Sequence, residues 1–440
     1  MKQQPVSNQA ELTIQWKYFL VFFLLLLTNF ASLSVFKVQI PPLRFLRQPS
    51  VVLALLFILH YFPVRPVKKG FKVAVYLYFF FCIYLVFNTI SSINPTNTVS
   101  YAAWMLGLYV FIYQFLVVRN DLKFRDILYQ FSASSAAVGT LFIAVSYIGG
   151  YVFGFDDFFD ERFNYTLMRM TTEFSGIFGS NNSFGMLTFL TSINLLFLYE
   201  LHKGKRYAYV LLAGSAFLSV LLFFIGNRAS MACGVAYWML YFVWIYRSVA
   251  GSLLLLTGMV IGFGVFQESI VQKLRLEQFE GGNVLGNRSD LIEEALVVVD
   301  EMSFFGVGYH NQRLSRKYFE LVGQDDKEYN FHNTYLAVFT ELGYAGLIWI
   351  PGIVLFFLIK WSDYKKNKED HRLIRMMKSL LLVMLIFYLP VEDSVNSPGS
   401  PTFITFWMQV IILGIGLSEK PETLAIENNE EKNSLSHLPV

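Results

Sequence analysis

Two tetrapeptides share the pattern Gly-Asn-Arg followed by a small residue: Gly226-Asn227-Arg228-Ala229 and Gly286-Asn287-Arg288-Ser289. A stretch of helical character follows each, and Asn is a favoured N-cap, so both arginines are expected at the first helical position. There the free backbone N–H groups and the positive end of the helix dipole reinforce the guanidinium, which makes an anion site. Two such sites on one side of a membrane suit a diphosphate. Arg228 lies between two apolar runs with almost no loop. It therefore belongs near a membrane interface, where an ionisable residue is a functional candidate by default. Arg288 has a competing reading as a solvated loop arginine, with the repeat a coincidence.

His332, in Asn330-Phe331-His332-Asn333, precedes the apolar run that starts at Thr334. A neutral imidazole accepts a proton from a hydroxyl near pH 7, which is the usual demand on a general base. Taken alone, an interfacial histidine that caps a helix is the simpler reading. Glu392 and Asp393, in a short connection near the end of the chain, are an alternative base or hydroxyl ligands, with interfacial structural charge as the default. Tyr309 and His310 follow the turn Gly306-Val307-Gly308, where they are placed to line a site; a surface role is the simpler one for His310. Asp156, Asp157, Asp160 and Glu161 form an acidic cluster, which reads first as a solvated loop rather than a metal site. No metal or other cofactor is expected. Arg162, Arg169 and Glu173 share a loop rich in Phe and Tyr, residues that commonly contact sugar rings but are frequent throughout this chain.

The elements that must position these residues follow from composition. The chain has 440 residues, 55% hydrophobic, 18% aromatic and only 15% charged. Ordinary soluble domains carry about a quarter charged residues, so this chain belongs in a bilayer. Soluble enzymes, coiled coils, disulfide-stapled modules and disordered chains are excluded. Cys82 and Cys233 fall inside apolar runs and behave as small hydrophobes. No cleavable leader is expected, and no feature points to nucleic acid.

Windows of about 20 apolar residues predict an all-α polytopic membrane protein of about twelve spans. They lie roughly at 18 to 36, 50 to 64, 72 to 90, 99 to 118, 130 to 153, 184 to 200, 207 to 225, 229 to 246, 249 to 267, 334 to 359, 376 to 391 and 400 to 418. Basic residues gather in alternate connections, with Arg65, Lys68, Lys69, Arg119, Lys123, Lys203, Lys205, Lys365 and Arg372 on one side. That side is assigned to the cytoplasm, with Lys37, Arg44 and Arg47 dissenting. The expected layout is a cytoplasmic N-terminus (1–17), spans one to nine (18–267), a large external connection (268–333), spans ten to twelve (334–418) and a disordered cytoplasmic tail (419–440). Amphipathic stretches near 288 to 301 and 312 to 322 make the large connection partly helical, a small cap over the membrane.

The pattern His332-Asn333, nine residues, then Gly343-Tyr344-Ala345-Gly346 resembles a signature of the O-antigen ligase and O-antigen polymerase superfamily. Arg288, an amphipathic helix, Asp300 and Phe304-Phe305-Gly306-Val307-Gly308 resemble that family's Arg, helix, acidic residue and Pro-Leu-Phe-Gly-x-Gly stretch, with Ser303 where proline is usual. Arg228 resembles its Ser/Thr-Arg motif at the start of a span. Gly176-Ile177-Phe178-Gly179-Ser180-Asn181-Asn182 is similar to its Gly-x-Phe-x-x-Pro-Asn element. The likeness covers about 165 to 350 in the right order.

The resemblance implies an inverting glycosyltransferase, without cofactor, on the periplasmic face of a bacterial inner membrane. Its donor is a polyprenyl-diphosphate-linked oligosaccharide, and its acceptor a glycan, a lipid A core or another hydroxyl carrier. Arg228 and Arg288 would bind the donor diphosphate and His332 would deprotonate or orient the acceptor. Asn333, Gly306, Gly308, Tyr309, Arg169, Asn182 and Asp393 are supporting candidates. A chain-length regulator and a flippase are the expected partners. Polymerase is favoured slightly over ligase. A lipid-linked oligosaccharide transporter is the alternative, against which the two halves of the chain show no likeness to each other.

Overall fold

In a computed structural model the chain is a helical bundle, described over residues 12–32, 47–64, 72–120, 122–154, 166–167, 170–171, 174–178, 181–248, 250–251, 253, 257–258, 288–321, 331–359, 368–391 and 401–418. The helices are α1 (Trp16–Ser32), α2 (Arg47–Tyr61), α3 (Lys72–Ile90), α4 (Pro95–Ile112), α5 (Phe124–Tyr147), α6 (Asn181–Leu201), α7 (Ala208–Ile225) and α8 (Arg228–Leu240). After them come α9 (Arg288–Glu301), α10 (Gln312–Tyr318), α11 (Thr334–Ile359), α12 (Lys368–Val383) and α13 (Pro401–Ser418). Helices α4, α5, α8 and α12 each run on into a short π-helical segment, ending at Val118, Val152, Ile245 and Tyr388. A two-residue antiparallel ribbon, β1 (Thr166–Leu167) and β2 (Met170–Thr171), is the strand structure among the described residues.

Among the described residues four helical segments are long and apolar enough to cross a membrane: Pro95–Val118, Phe124–Val152, Asn182–Leu201 and Ala208–Ile225. The fold is that of a helical membrane protein. A helix overlies each expected span except the ninth, 249 to 267, most of which lies outside the described residues. The fifth helix starts at Phe124, earlier than expected, because Phe124, Ile127 and Leu128 are buried against neighbouring helices. The segments 1–11 and 419–440 lie outside the described residues.

Helices α5 and α6 occupy the middle of the bundle, with α6 packed on α5, α7 and α8. Helix α13 threads between α1, α5, α6, α11 and α12. The outer helices turn apolar side chains outward: Phe79, Phe80, Ile83, Val86 and Phe87 on α3 are exposed, as are Tyr209, Val210, Phe217 and Val220 on α7. A surface of that kind is stable against lipid and not against water. The inner faces are unusually polar. Ser192 on α6 bonds Ser215 and Ser219 on α7, and Asn194 donates to Ser135 on α5 at 3.0 Å. Small hydroxyls of this type let helices approach closely and hold them by hydrogen bonds where lipid supplies no hydrophobic drive.

One end of the bundle carries a charged knot. The Glu200 carboxylate, buried at the end of α6, accepts from the Tyr241 hydroxyl at 2.5 Å, from the Tyr246 hydroxyl and from Arg372 on α12 at 2.8 Å. Lys203 donates to Tyr246 at 2.5 Å. Next to this knot, burial pushes the His202 imidazole down from its ordinary value. Arg125 pairs with Glu369 at 2.7 Å at the same end. The knot ties α6, α8 and α12 together. Removing one partner of a buried pair strands the other charge. Arg372→Ala is therefore expected to destabilise the protein by about 3 kcal/mol, whereas Arg125→Ala, at a half-exposed pair, costs under about 1 kcal/mol. Thermal melting of both variants in detergent checks the difference.

Candidate functional site

The opposite end of the bundle gathers the motif residues. Gly226, left-handed at φ 83°, ends α7, and Asn227 begins α8 directly. The Asn227 side-chain oxygen accepts from the Ser230 N–H at 2.6 Å, so it is the N-cap and Arg228 holds the first helical position. The Asn227 amide also donates to the Asn182 side-chain oxygen at 2.5 Å. This draws the start of α6 against the start of α8. Gly185 permits the approach, since a Cβ there would lie 2.6 Å from the Asn227 Cβ. Just upstream, the Ile177 N–H donates to Ser146 on α5 at 3.2 Å. Two motifs distant in sequence thus form one corner of the bundle, with the half-buried Arg228 on it.

The second Gly-Asn-Arg repeat is described only from Arg288, the first residue of α9, with Asp290 in its first turn. Asn287 lies outside the described residues. Helix α9 packs on α11, and its Ala295 and Val298 meet Val307 and Phe331 in a small separate core. Arg316 on α10 makes a forked pair with Glu294 on α9, one arm at 3.0 Å. Helices α9 and α10 are thereby fastened to each other and to the start of α11.

The two glycine motifs prove to be halves of one joint. Helix α11 is broken at Gly343, where φ is 65° and ψ is −158°. That backbone region is essentially reserved for glycine. The break denies the carbonyls of Thr340, Glu341 and Leu342 their helical partners, and each finds another. Thr340 accepts from the Val307 N–H at 2.8 Å and Glu341 from the Gly308 N–H at 3.1 Å. Leu342 accepts from the Tyr84 hydroxyl at 2.5 Å, while the Tyr344 N–H donates to the Phe304 carbonyl at 3.3 Å. Backbone lies so close to backbone that a Cβ on Gly343 would fall 2.1 Å from the Phe304 oxygen, and one on Gly306 2.5 Å from the Gly343 nitrogen. The expected straight span 334 to 359 is therefore two helices meeting at a glycine.

Asn88, fully buried near the end of α3, locks this joint. Its amide nitrogen donates to Phe305 at 2.6 Å and to Glu341 at 2.9 Å, and its oxygen accepts from the Tyr309 N–H at 2.7 Å. Tyr309 points inward against Phe81 rather than onto an open surface. Burial, with the Glu341 carboxylate, pushes its phenol well above the ordinary value and keeps it protonated. His310, exposed in part, packs its ring on Tyr101 at 3.8 Å.

His332 stands just before this joint with a left-handed backbone, φ 50°. The helix cap belongs to its neighbour: the Asn333 side chain accepts from the Leu336 N–H at 3.1 Å. The Thr334 N–H donates to Leu389 at 2.8 Å, and the π-helical end of α12 that leads to Leu389 also packs on α8. The helices that carry Arg228 and His332 therefore share a wall. Arg162, Arg169, Glu173, Glu392, Asp393 and the acidic cluster 156–161 lie outside the described residues. Among the described residues no three His, Cys, Asp or Glu side chains cluster as metal ligands.

Asn88, Gln312 and Glu341 escaped the motif reading. Glu341 had a usable signal, an ionisable residue inside an apolar run. Asn88 had a weaker one, a single amide in the apolar sequence of α3. Gly343→Ala forces a side chain into the joint and is expected to cost about 3 kcal/mol or more, whereas Gly107→Ala meets nothing within 4 Å and is tolerated. The yield and melting of the two purified variants checks this.

No curated protein matches the chain. Residues 213–351, from α7 through the broken helix α11, match the family model described as O-antigen ligase, which supports the likeness to the O-antigen ligase and polymerase superfamily.

Proposed function

We propose that the protein transfers or polymerises polyprenyl-diphosphate-linked oligosaccharide at the periplasmic face of a bacterial inner membrane, with its termini in the cytoplasm. The match of residues 213–351 to the O-antigen ligase family model supports a membrane glycosyltransferase of that general kind. What carries the finer reading is the clamped His332 beside the joint of the two glycine motifs, all within the matched domain.

In this reading His332 takes the proton of an acceptor hydroxyl as its oxygen attacks the anomeric carbon of the donor sugar. The bond from that carbon to the lipid diphosphate breaks with inversion, and the diphosphate leaves with its electron pair. Arg228 and Arg288, each at a helix start, stabilise the growing negative charge. No nucleotide enters the reaction. A second lipid-linked repeat is slightly favoured as the acceptor over a lipid A core, because polymerases are the more varied group.

In vesicles supplied with a lipid-diphosphate-linked oligosaccharide, the protein is expected to form longer or transferred glycan. His332→Ala and Arg288→Ala proteins that insert normally are expected to lose about a hundredfold or more in rate. Full activity in both refutes the mechanism, and donor crossing the bilayer with no new glycosidic bond favours a transporter. A ladder of products marks a polymerase, a single addition a ligase. Arg228→Lys keeps the charge but loses the planar fork, so donor affinity is expected to fall about tenfold. Titration of donor binding checks it.

A further inference from the structure

A left-handed backbone costs a non-glycine residue about 1 kcal/mol or more and persists only where the surroundings impose it. His332 has that backbone, and its neighbours are pinned on both sides. After it, Asn333 caps α11 and Thr334 is bonded to Leu389. Before it, the Phe331 N–H donates to the Gln312 side-chain oxygen at 3.2 Å, and the Phe331 ring is buried against α9 and Val307.

Gln312 is itself immobilised. It is buried at the first residue of α10, and its backbone N–H donates to the Glu341 carboxylate at 3.3 Å. Glu341 is fully buried, and its carbonyl is the one held by Gly308 and Asn88. A continuous run of bonds thus leads from Asn88 on α3, through the broken helix and Gln312, to the backbone of Phe331, the residue before His332.

We propose that Gln312 is a positioning residue for His332: by accepting from the Phe331 N–H it fixes the residue next to His332, and through it the direction of the imidazole. The inference rests on the reading of His332 as the base. Gln312 touches neither donor nor acceptor in it, so its loss degrades proton transfer and leaves donor binding in place.

Gln312→Met keeps the length of the side chain and removes the acceptor; Gln312→Glu keeps an acceptor oxygen at the same reach. The experiment measures glycan formation at varied concentrations of lipid-diphosphate-linked oligosaccharide, with His332→Ala in parallel. Gln312→Met is expected to lower kcat by about tenfold to a hundredfold with donor KM within about twofold of the parent, and Gln312→Glu to recover most of the loss. If Gln312→Met fails to insert, Gln312→Asn, which withdraws the amide by one methylene, is expected to show the same loss. Unchanged kcat in the loss variant, with His332→Ala inactive, overturns the positioning role and leaves the base reading standing. A parallel fall in kcat and rise in KM that Gln312→Glu does not rescue also overturns it, since that pattern is a packing defect. Full activity of His332→Ala overturns the base reading itself, and the positioning role with it.

Discussion

The break in α11 at Gly343 is the constraint on which this end of the molecule depends. A helix interrupted among apolar neighbours exposes carbonyls and N–H groups that each cost about 1–3 kcal/mol if left unpaired. Here the 304–308 turn supplies the missing donors and takes the Tyr344 N–H in return, with Tyr84 serving Leu342. Such an exchange needs main chain against main chain, which is why Gly306 and Gly343 carry no side chain at the contact. Asn88 adds two donors and an acceptor from a third element.

This joint determines how the functional candidates are presented. The turn at 304–308 ends the arm that begins with Arg288, and the broken helix begins just after His332. Locking the two together couples the position of α9 to that of the imidazole. Arg228 lies apart, at the α6 and α8 corner closed by the Asn182–Asn227 bond, on a helix that also packs on the π-helical end of α12. Its helix starts without a loop because Gly226 and Asn227 end one helix and cap the next in two residues.

The far end of the bundle is built on a different principle. There a buried carboxylate, two phenols and a guanidinium close α6, α8 and α12 around Glu200. Side-chain charge fastens that end, whereas the joint beside His332 is closed by backbone groups and the Asn88 amide, with the Arg316–Glu294 pair tying α9 to α10 next to it.

Most of the described helices were legible in the chain's hydropathy, because a residue's preference for lipid or water depends on its own side chain and on those a few positions away. The sequence by itself also determined that Asn227 caps α8 with Arg228 after it, since capping is settled within four residues. Four ordered motifs were enough to suggest the family that residues 213–351 match. The purpose of the glycines became visible only in the packing of the helices. The Gly306 turn and the Gly343 break look like separate punctuation in the chain, and the bonds from Asn88 that join them span 217 and 253 residues. Likewise the cap that the plainer reading of His332 offered is made by Asn333, and Tyr309 turned into the core. Contacts of that range depend on how the helices pack, and no local pattern of hydropathy or spacing specifies it.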